Sequence, residues 1–190
     1  MPARLIDRTP SAYGYPLLIK HLLHTPRAFA LEQEIVYRDQ VRHTYGDLFA
    51  RIGRLANGLT SLGVRPGDTV GVMDWDSHRY LECFLAVPMM GAVLHTVNVR
   101  LSPEQILYTI EHAGDDVLLV NAEFLPVLEE IGDRLTTVKR FVLLSDVDRP
   151  PATSLPLEAE YEELLRRSDE SYDFPELDED TCATTFYTTG

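Results

Sequence analysis

The residues best suited to grip a phosphate close the chain: Tyr187, Thr188, Thr189 and Gly190. Hydroxyls and bare backbone N–H groups bind phosphate oxygens, and a glycine lets a ligand approach the main chain closely. Thr188, Thr189 and Gly190 are therefore the candidate phosphate-binding residues, delivered by a short β-prone run that starts at Thr181. The plain alternative is a strand that leaves into an ordinary Thr-Gly turn. A second acidic constellation, Asp74 and Asp76, follows the compact apolar run Thr69 to Met73 and could bind a cation or serve as an acid/base pair. A dinucleotide site would place Gly-x-Gly-x-x-Gly at that turn, and two carboxylates there repel phosphate instead. A solvated Asp76-Ser77 helix cap is the favoured reading.

Histidine and cysteine offer less. His21 and His24 lie three apart on an expected helix and could share a metal, yet no carboxylate or cysteine completes a ligand set, so surface positions are expected. His95 sits inside the apolar run Ala92 to Val97, where a polar ring needs a partner, and reads as a hydrogen-bonded core histidine. Cys83 and Cys182 form no Cys-x-x-Cys pair and are far apart, which predicts two buried, reduced thiols.

Elements must carry these groups, and the composition allows them. The 190 residues are 45% hydrophobic and 25% charged, an ordinary globular balance with length enough for one sizeable core. A formal net charge of -13 excludes a nucleic-acid surface, which needs a basic stripe. Met1 to Asp7 has no apolar signal region, and the longest apolar stretch, Phe84 to Leu94, is interrupted by Pro88 and too short for a bilayer. A cytoplasmic protein without a transmembrane segment is expected.

Tyr15 to His24 reads as a short amphipathic helix that Thr25-Pro26 should end, and the β-prone runs beginning at Glu34 and Val41 as a hairpin around Arg38 to Gln40. Leu48, Ile52, Leu55, Leu59 and Leu62 form one stripe of a helix from Tyr45 to Leu62, capped by Thr44 and stopped by Gly63. Strand Thr69 to Met73, helix His78 to Met90 and the run Ala92 to Val97 follow. Ser102, Pro103 and Gln105 mark a specific helix start, with an N-cap, a proline at the first helical position and a capping-box partner. Strand Asp116 to Asn121, helix Ala122 to Leu135 and strand Val138 to Leu144 complete the alternation. Short links between such elements require parallel pairing through right-handed crossovers. The fold expected is α/β, an open doubly wound, mainly parallel sheet with helices on both faces. It divides into an α/β unit over residues 1–145 and an acidic, irregular arm over 146–190, with one helix at Tyr161 to Arg167 and a final strand leading into the candidate loop.

The stretch Gly91 to Ile106, with Ala92-Val93-Leu94-His95-Thr96-Val97-Asn98 at its heart, closely resembles the matching segment of acyl-CoA synthetases, the fatty-acid–CoA ligase branch of the adenylate-forming enzymes. Thr44 to Leu48 with its Ala- and Leu-rich helix, Gly67 to Val72 and Tyr187 to Gly190 extend the resemblance in the same order across nearly the whole chain. Peptide-synthetase adenylation domains usually carry Gly-Ala, an aromatic and Pro-Leu-Asp where this chain has His95 to Arg100, which points to the ligase branch.

The resemblance implies activation of a carboxylate with ATP and magnesium to an acyl-adenylate and pyrophosphate, then acyl transfer to coenzyme A. By carry-over, Thr188, Thr189 and Gly190 contact the ATP phosphates, Thr188 also assists magnesium, and Tyr187 fixes the strand end. The rest of the loop, the acyl and adenine pockets, the metal-binding glutamate and the mobile C-terminal domain lie beyond these residues, so an N-terminal piece of a larger ligase is expected, inactive alone and with no ligand bound. Medium- to long-chain fatty acids are the implied substrates. The competing readings are an adenylating enzyme for an aryl or amino acid, and a non-catalytic scaffold or dimerisation module. Some ligases of this branch pair through their N-terminal segments, and Met1 to Pro16 has the Leu, Ile and Tyr residues to anchor a homodimer.

Overall fold

The computed structural model describes residues 9–147 and 151–188 of the chain. Six parallel strands form the main sheet, in the spatial order β7-β6-β5-β3-β4-β8. They are β3 (Thr69–Met73), β4 (Val93–Thr96), β5 (Asp115–Asn121), β6 (Arg140–Leu144), β7 (Leu157–Glu160) and β8 (Thr184–Phe186). The central strands are buried on both faces, and their residues alternate between two cores as the period of two demands. Val117, Leu119, Val142 and Leu144 face one core with Leu48, Ile52, Leu55 and Leu59. Leu118, Val120, Phe141 and Leu143 face the other with Ile106, Ile110, Leu128 and Ile131.

The first core is covered by helices α2 (Tyr45–Ser61), α3 (His78–Met89) and α6 (Tyr161–Arg166), the second by α4 (Pro103–Ala113) and α5 (Leu125–Ile131). The sequence signals for these helices are met in detail. Thr44 accepts from the Asp47 N–H at 3.1 Å while Asp47 accepts from the Thr44 N–H at 2.8 Å, closing a capping box on α2. Ser102 and Gln105 do the same for α4, with Pro103 in its first turn. Gly63, at a φ of 97°, turns the chain after α2 where a Cβ would be strained. An antiparallel hairpin, β1 (Glu34–Tyr37) and β2 (Val41–Thr44), stands apart from the main sheet. Arg38 and Asp39 both have positive φ in the three-residue turn, Arg38 to Gln40, that joins its strands.

Four local expectations are corrected. Instead of a helix over Tyr15 to His24, a 3-10 turn spans Ile19–Leu23 and a helix, α1 (His24–Phe29), follows directly. Pro26 lies in the first turn of α1, where its missing N–H costs nothing, so it does not end a helix. The expected helix from Ala122 to Leu135 is α5 flanked by 3-10 turns at Ala122–Phe124 and Gly132–Arg134. Within the acidic stretch, Leu157–Glu160 is a strand that extends the sheet beside β6. Its neighbour α6 buries Tyr161, Leu164 and Leu165 in the first core. The acidic composition hid this because only alternate residues of an edge strand and one stripe of a short helix need be apolar.

Candidate functional site

β3 leads into α3 on one face of the sheet, and β4 leads into α4 on the other. Strands whose connections part to opposite faces leave a crevice outside their carboxyl ends. A cavity of about 600 Å³ opens there, lined from β3's end by Asp74, Trp75 and Asp76, from α3 by Tyr80 and Phe84, and from β8 by Phe186 and Tyr187. β8 pairs in parallel with β4, matching Thr184 to Leu94 and Phe186 to Thr96, so its carboxyl end emerges beside the crevice. Thr188 follows there and is exposed. Thr189 and Gly190, the other two candidate phosphate-binding residues, lie outside the described residues.

Tyr187 is anchored at the point where β8 ends. Its hydroxyl is hydrogen-bonded to His112 Nδ1 at 2.8 Å, and its ring meets the edge of His95 at a centroid distance of 5.3 Å. Burial, then the Asp115 charge, pushes its phenol up, so it remains a neutral hydrogen-bonding group at neutral pH. Tyr187 thus ties the strand end to α4.

His95 is fully buried in β4, as expected, and its partner is Asp115 at the start of β5. Nδ1 lies 2.9 and 2.8 Å from the two Asp115 oxygens. Between them runs β3, whose Gly71 is paired with His95, and a Cβ at Gly71 would collide with the Asp115 carboxylate. The pairing spans twenty residues and was invisible in the sequence. The only signal was the need of a buried imidazole for a partner.

The turn after β3 separates its two aspartates. Asp74 is buried and accepts from Ser77 Oγ at 2.5 Å, Asn121 Nδ2 at 2.7 Å and the Trp75 N–H at 2.8 Å. Burial outweighs these donors and pushes its carboxyl up. Its acceptor capacity is largely taken, so it pins the turn between β3 and β5 and is not one half of a cation pair. Asp76 is exposed, and Ser77 caps α3 by accepting from the Tyr80 N–H at 3.1 Å. His21 and His24 lie outside this site, at the surface, with rings 5.0 Å apart. Cys83 is buried and burial pushes its thiol up, whereas Cys182 is exposed, against the expectation that both are buried. Cys182 precedes the three-residue edge strand β8, which presents its side chains to solvent at two of three positions.

The sheet edge thus brings Tyr187 to a crevice at the carboxyl ends of parallel strands. Residues 21–190 match the model of the AMP-binding enzyme family, and the chain belongs to that family of adenylate-forming enzymes. Its relatives there include acyl-CoA ligases. It is 37% identical over 179 residues to the 3-methylmercaptopropionyl-CoA ligase of Ruegeria lacuscaerulensis, covering 92% of this chain and 33% of the relative. It is 42% identical over 149 residues to the long-chain-fatty-acid–CoA ligase of Thermus thermophilus, covering 78% and 26%. Among solved structures, the anthranilate CoA ligase AuaEII in complex with anthranoyl-AMP superposes with a TM-score of 0.82 at 20% identity, over 94% of this chain and 33% of that one, a likeness of fold. The chain spans about a third of the length of the Ruegeria ligase and of AuaEII. Among the described residues no helix is long and apolar enough to cross a membrane.

Proposed function

We propose that this chain supplies the N-terminal part of an ATP-dependent acid–thiol ligase, and that its carboxyl-terminal residues open the loop that holds the ATP phosphates. The observation that carries this reading is the placement of Tyr187 and Thr188 at the carboxyl edge of the sheet, on a strand anchored by His112 and His95, in a chain of the AMP-binding family. In the reaction the substrate carboxylate attacks the α-phosphorus of ATP and pyrophosphate leaves. The acyl-adenylate then passes its acyl group to the thiol of coenzyme A.

Negative charge develops on the leaving pyrophosphate, and preorganised donors there lower the barrier. Thr188, Thr189 and Gly190 supply the first of them, a hydroxyl pair and backbone N–H groups. The exposed hydroxyl of Thr188 also suits magnesium, a hard cation that takes oxygen ligands and shares them with phosphates. When bound, the ion neutralises charge on the transferring phosphates. Three donors do not offset the desolvation of a polyphosphate, so the 190-residue chain is inactive alone.

Medium- to long-chain fatty acids are the substrates proposed, supported by the 42% identity to a long-chain ligase. The similarity to a ligase for a short thioether acid makes chain length the first variable to measure. Pyrophosphate exchange by the full-length enzyme with acids from acetate to palmitate, alongside benzoate and amino acids, tests the reading. Exchange strongest with the longer fatty acids is expected, and exchange confined to aryl or amino acids, or with no carboxylate, sinks it. Tyr13, Tyr15 and Leu17 are exposed, which favours the further proposal that the segment Met1 to Pro16 anchors a homodimer. Met1 to Arg8 lie outside the described residues. Light scattering should show a dimer that is lost when the chain starts at Tyr15.

A further inference from the structure

Where the hairpin meets the start of α3, a second set of groups with ligand chemistry comes together. His78 and Glu82 are four residues apart on α3, which puts both side chains on one helix face. His43, on β2, comes over that face with its ring centroid 5.4 Å from that of His78. One ligand atom from each of His43, His78 and Glu82 lies within 4.8 Å of the others. We propose that these three residues form a site for a zinc-class divalent transition-metal ion that fastens the β1–β2 hairpin to α3.

The independent observation is His78. Its side chain is 5% exposed, and its Nδ1 is buried with no hydrogen-bond partner. A buried ring nitrogen without a partner is costly, and a metal ion would satisfy it. Glu162 Oε1 faces the other nitrogen, Nε2, at 3.6 Å. A carboxylate on that side favours the tautomer with its proton on Nε2 and leaves the lone pair on Nδ1, the form that binds metal.

Glu82 retains one coordination position. Its Oε1 accepts from Arg51 Nε at 2.7 Å, and its Oε2 from Arg51 Nη2 at 3.2 Å and from the Tyr161 hydroxyl at 2.7 Å. A carboxylate offers about four lone-pair sites, so one on Oε1 is free.

Arg51 opposes a cation, but it does not act alone. It is also held by Glu162 at 2.9 and 3.0 Å, and Arg79 is held by Glu162 and by Asp146. Two guanidinium groups thus face three carboxylates, and a divalent ion meets a cluster with one net negative charge. Two imidazoles and a carboxylate select zinc over magnesium or calcium, and leave a fourth tetrahedral position for water. Zinc ligands in a tetrahedron stand about 3.3 Å apart. The remaining closure is made by His43, which rides on a partly exposed hairpin.

The test uses the untagged 190-residue chain titrated with zinc sulfate against a chromophoric chelator, with magnesium as the control. One zinc per chain is expected, with a rise in Tm by mass action that magnesium does not produce. His43→Gln should weaken zinc binding by at least about tenfold, the low end of what losing even an outer-shell partner costs. The double substitution His21→Ala, His24→Ala should leave the affinity unchanged. In parallel, NMR of the unsubstituted chain should show zinc shifting the imidazole signals of two of its six histidines. That readout needs no variant, so instability of His43→Gln leaves the test intact. No stoichiometric zinc, unchanged affinity in folded His43→Gln, loss of binding with the His21/His24 substitutions, or imidazole shifts elsewhere would each overturn the site.

Discussion

At the scale of single residues, a glycine decides whether a buried carboxyl group fits. Asp115 reaches His95 across β3 only because Gly71 has no side chain, and Leu118 crowds the same space. Gly71→Ala should therefore destabilise the fold by about 1–3 kcal/mol, the cost of overpacking a core, measured in urea melts. His95→Gln removes the imidazole that is hydrogen-bonded to Asp115, and in the full-length ligase it should lower Tm more than it slows adenylate formation. A large fall in turnover at unchanged Tm would make His95 a participant in the chemistry. Acid titration reads another residue, Glu162, whose contacts with His78, Arg51 and Arg79 outweigh its burial and hold its carboxyl well below the usual range. A depressed folded value gives stability that is present above the unfolded value, about 4.3, and is lost as pH falls toward the folded one. Asp74 and Asp115 are pushed up by burial and have the opposite sign, so they partly mask this loss. Glu162→Gln should remove the Glu162 share, leaving a shallower fall in stability between pH 5 and pH 3 than the parent shows. Parallel slopes for the two proteins would mean the network gives Glu162 no special hold.

Among the elements, α4 has the most completely specified start. The Ser102 hydroxyl accepts from the Gln105 N–H at 3.4 Å, and Gln105 Oε1 accepts from the Ser102 N–H at 3.2 Å. Ser102→Ala leaves an N–H of the first turn without its acceptor and should cost about 1 kcal/mol. Denaturant melts with no loss of stability would show that solvent caps this helix equally well. The element matters to the site because α4 carries Ile106 and Ile110 into the second core and His112 to the Tyr187 hydroxyl.

For the whole molecule, the decisive fact is that the last strand enters the sheet beside β4, at the edge opposite β7. That return brings Tyr187 to the crevice at the carboxyl end of β4. In the full-length ligase, Thr188→Ala should slow adenylation by about ten- to a thousandfold, the upper end being what removing one donor to a developing oxyanion costs. Acyl transfer to coenzyme A from supplied acyl-adenylate should be much less affected. Equal slowing of both half-reactions would show that Thr188 supports the structure of the loop and not the phosphate chemistry.

Local pattern carried a great deal of this protein. The stripe of α2, the capping boxes at Thr44 and Ser102, the apolar runs of β3 and β5 and the alternation of strand with helix are short-range signals, and they determine an α/β sheet with helices on both faces. The hydroxyls at the end of the chain are a weak signal by themselves, and the phosphate-binding proposal for them leans on the family resemblance. What required the tertiary structure were pairings between residues remote in sequence. His95 with Asp115, Tyr187 with His112, and His43 with His78 and Glu82 each depend on strand order and helix face, which no local window contains. The edge strand β7 escaped for a related reason: a strand with one neighbour needs little apolar character, and only its pairing with β6 makes Leu157 to Glu160 part of the sheet.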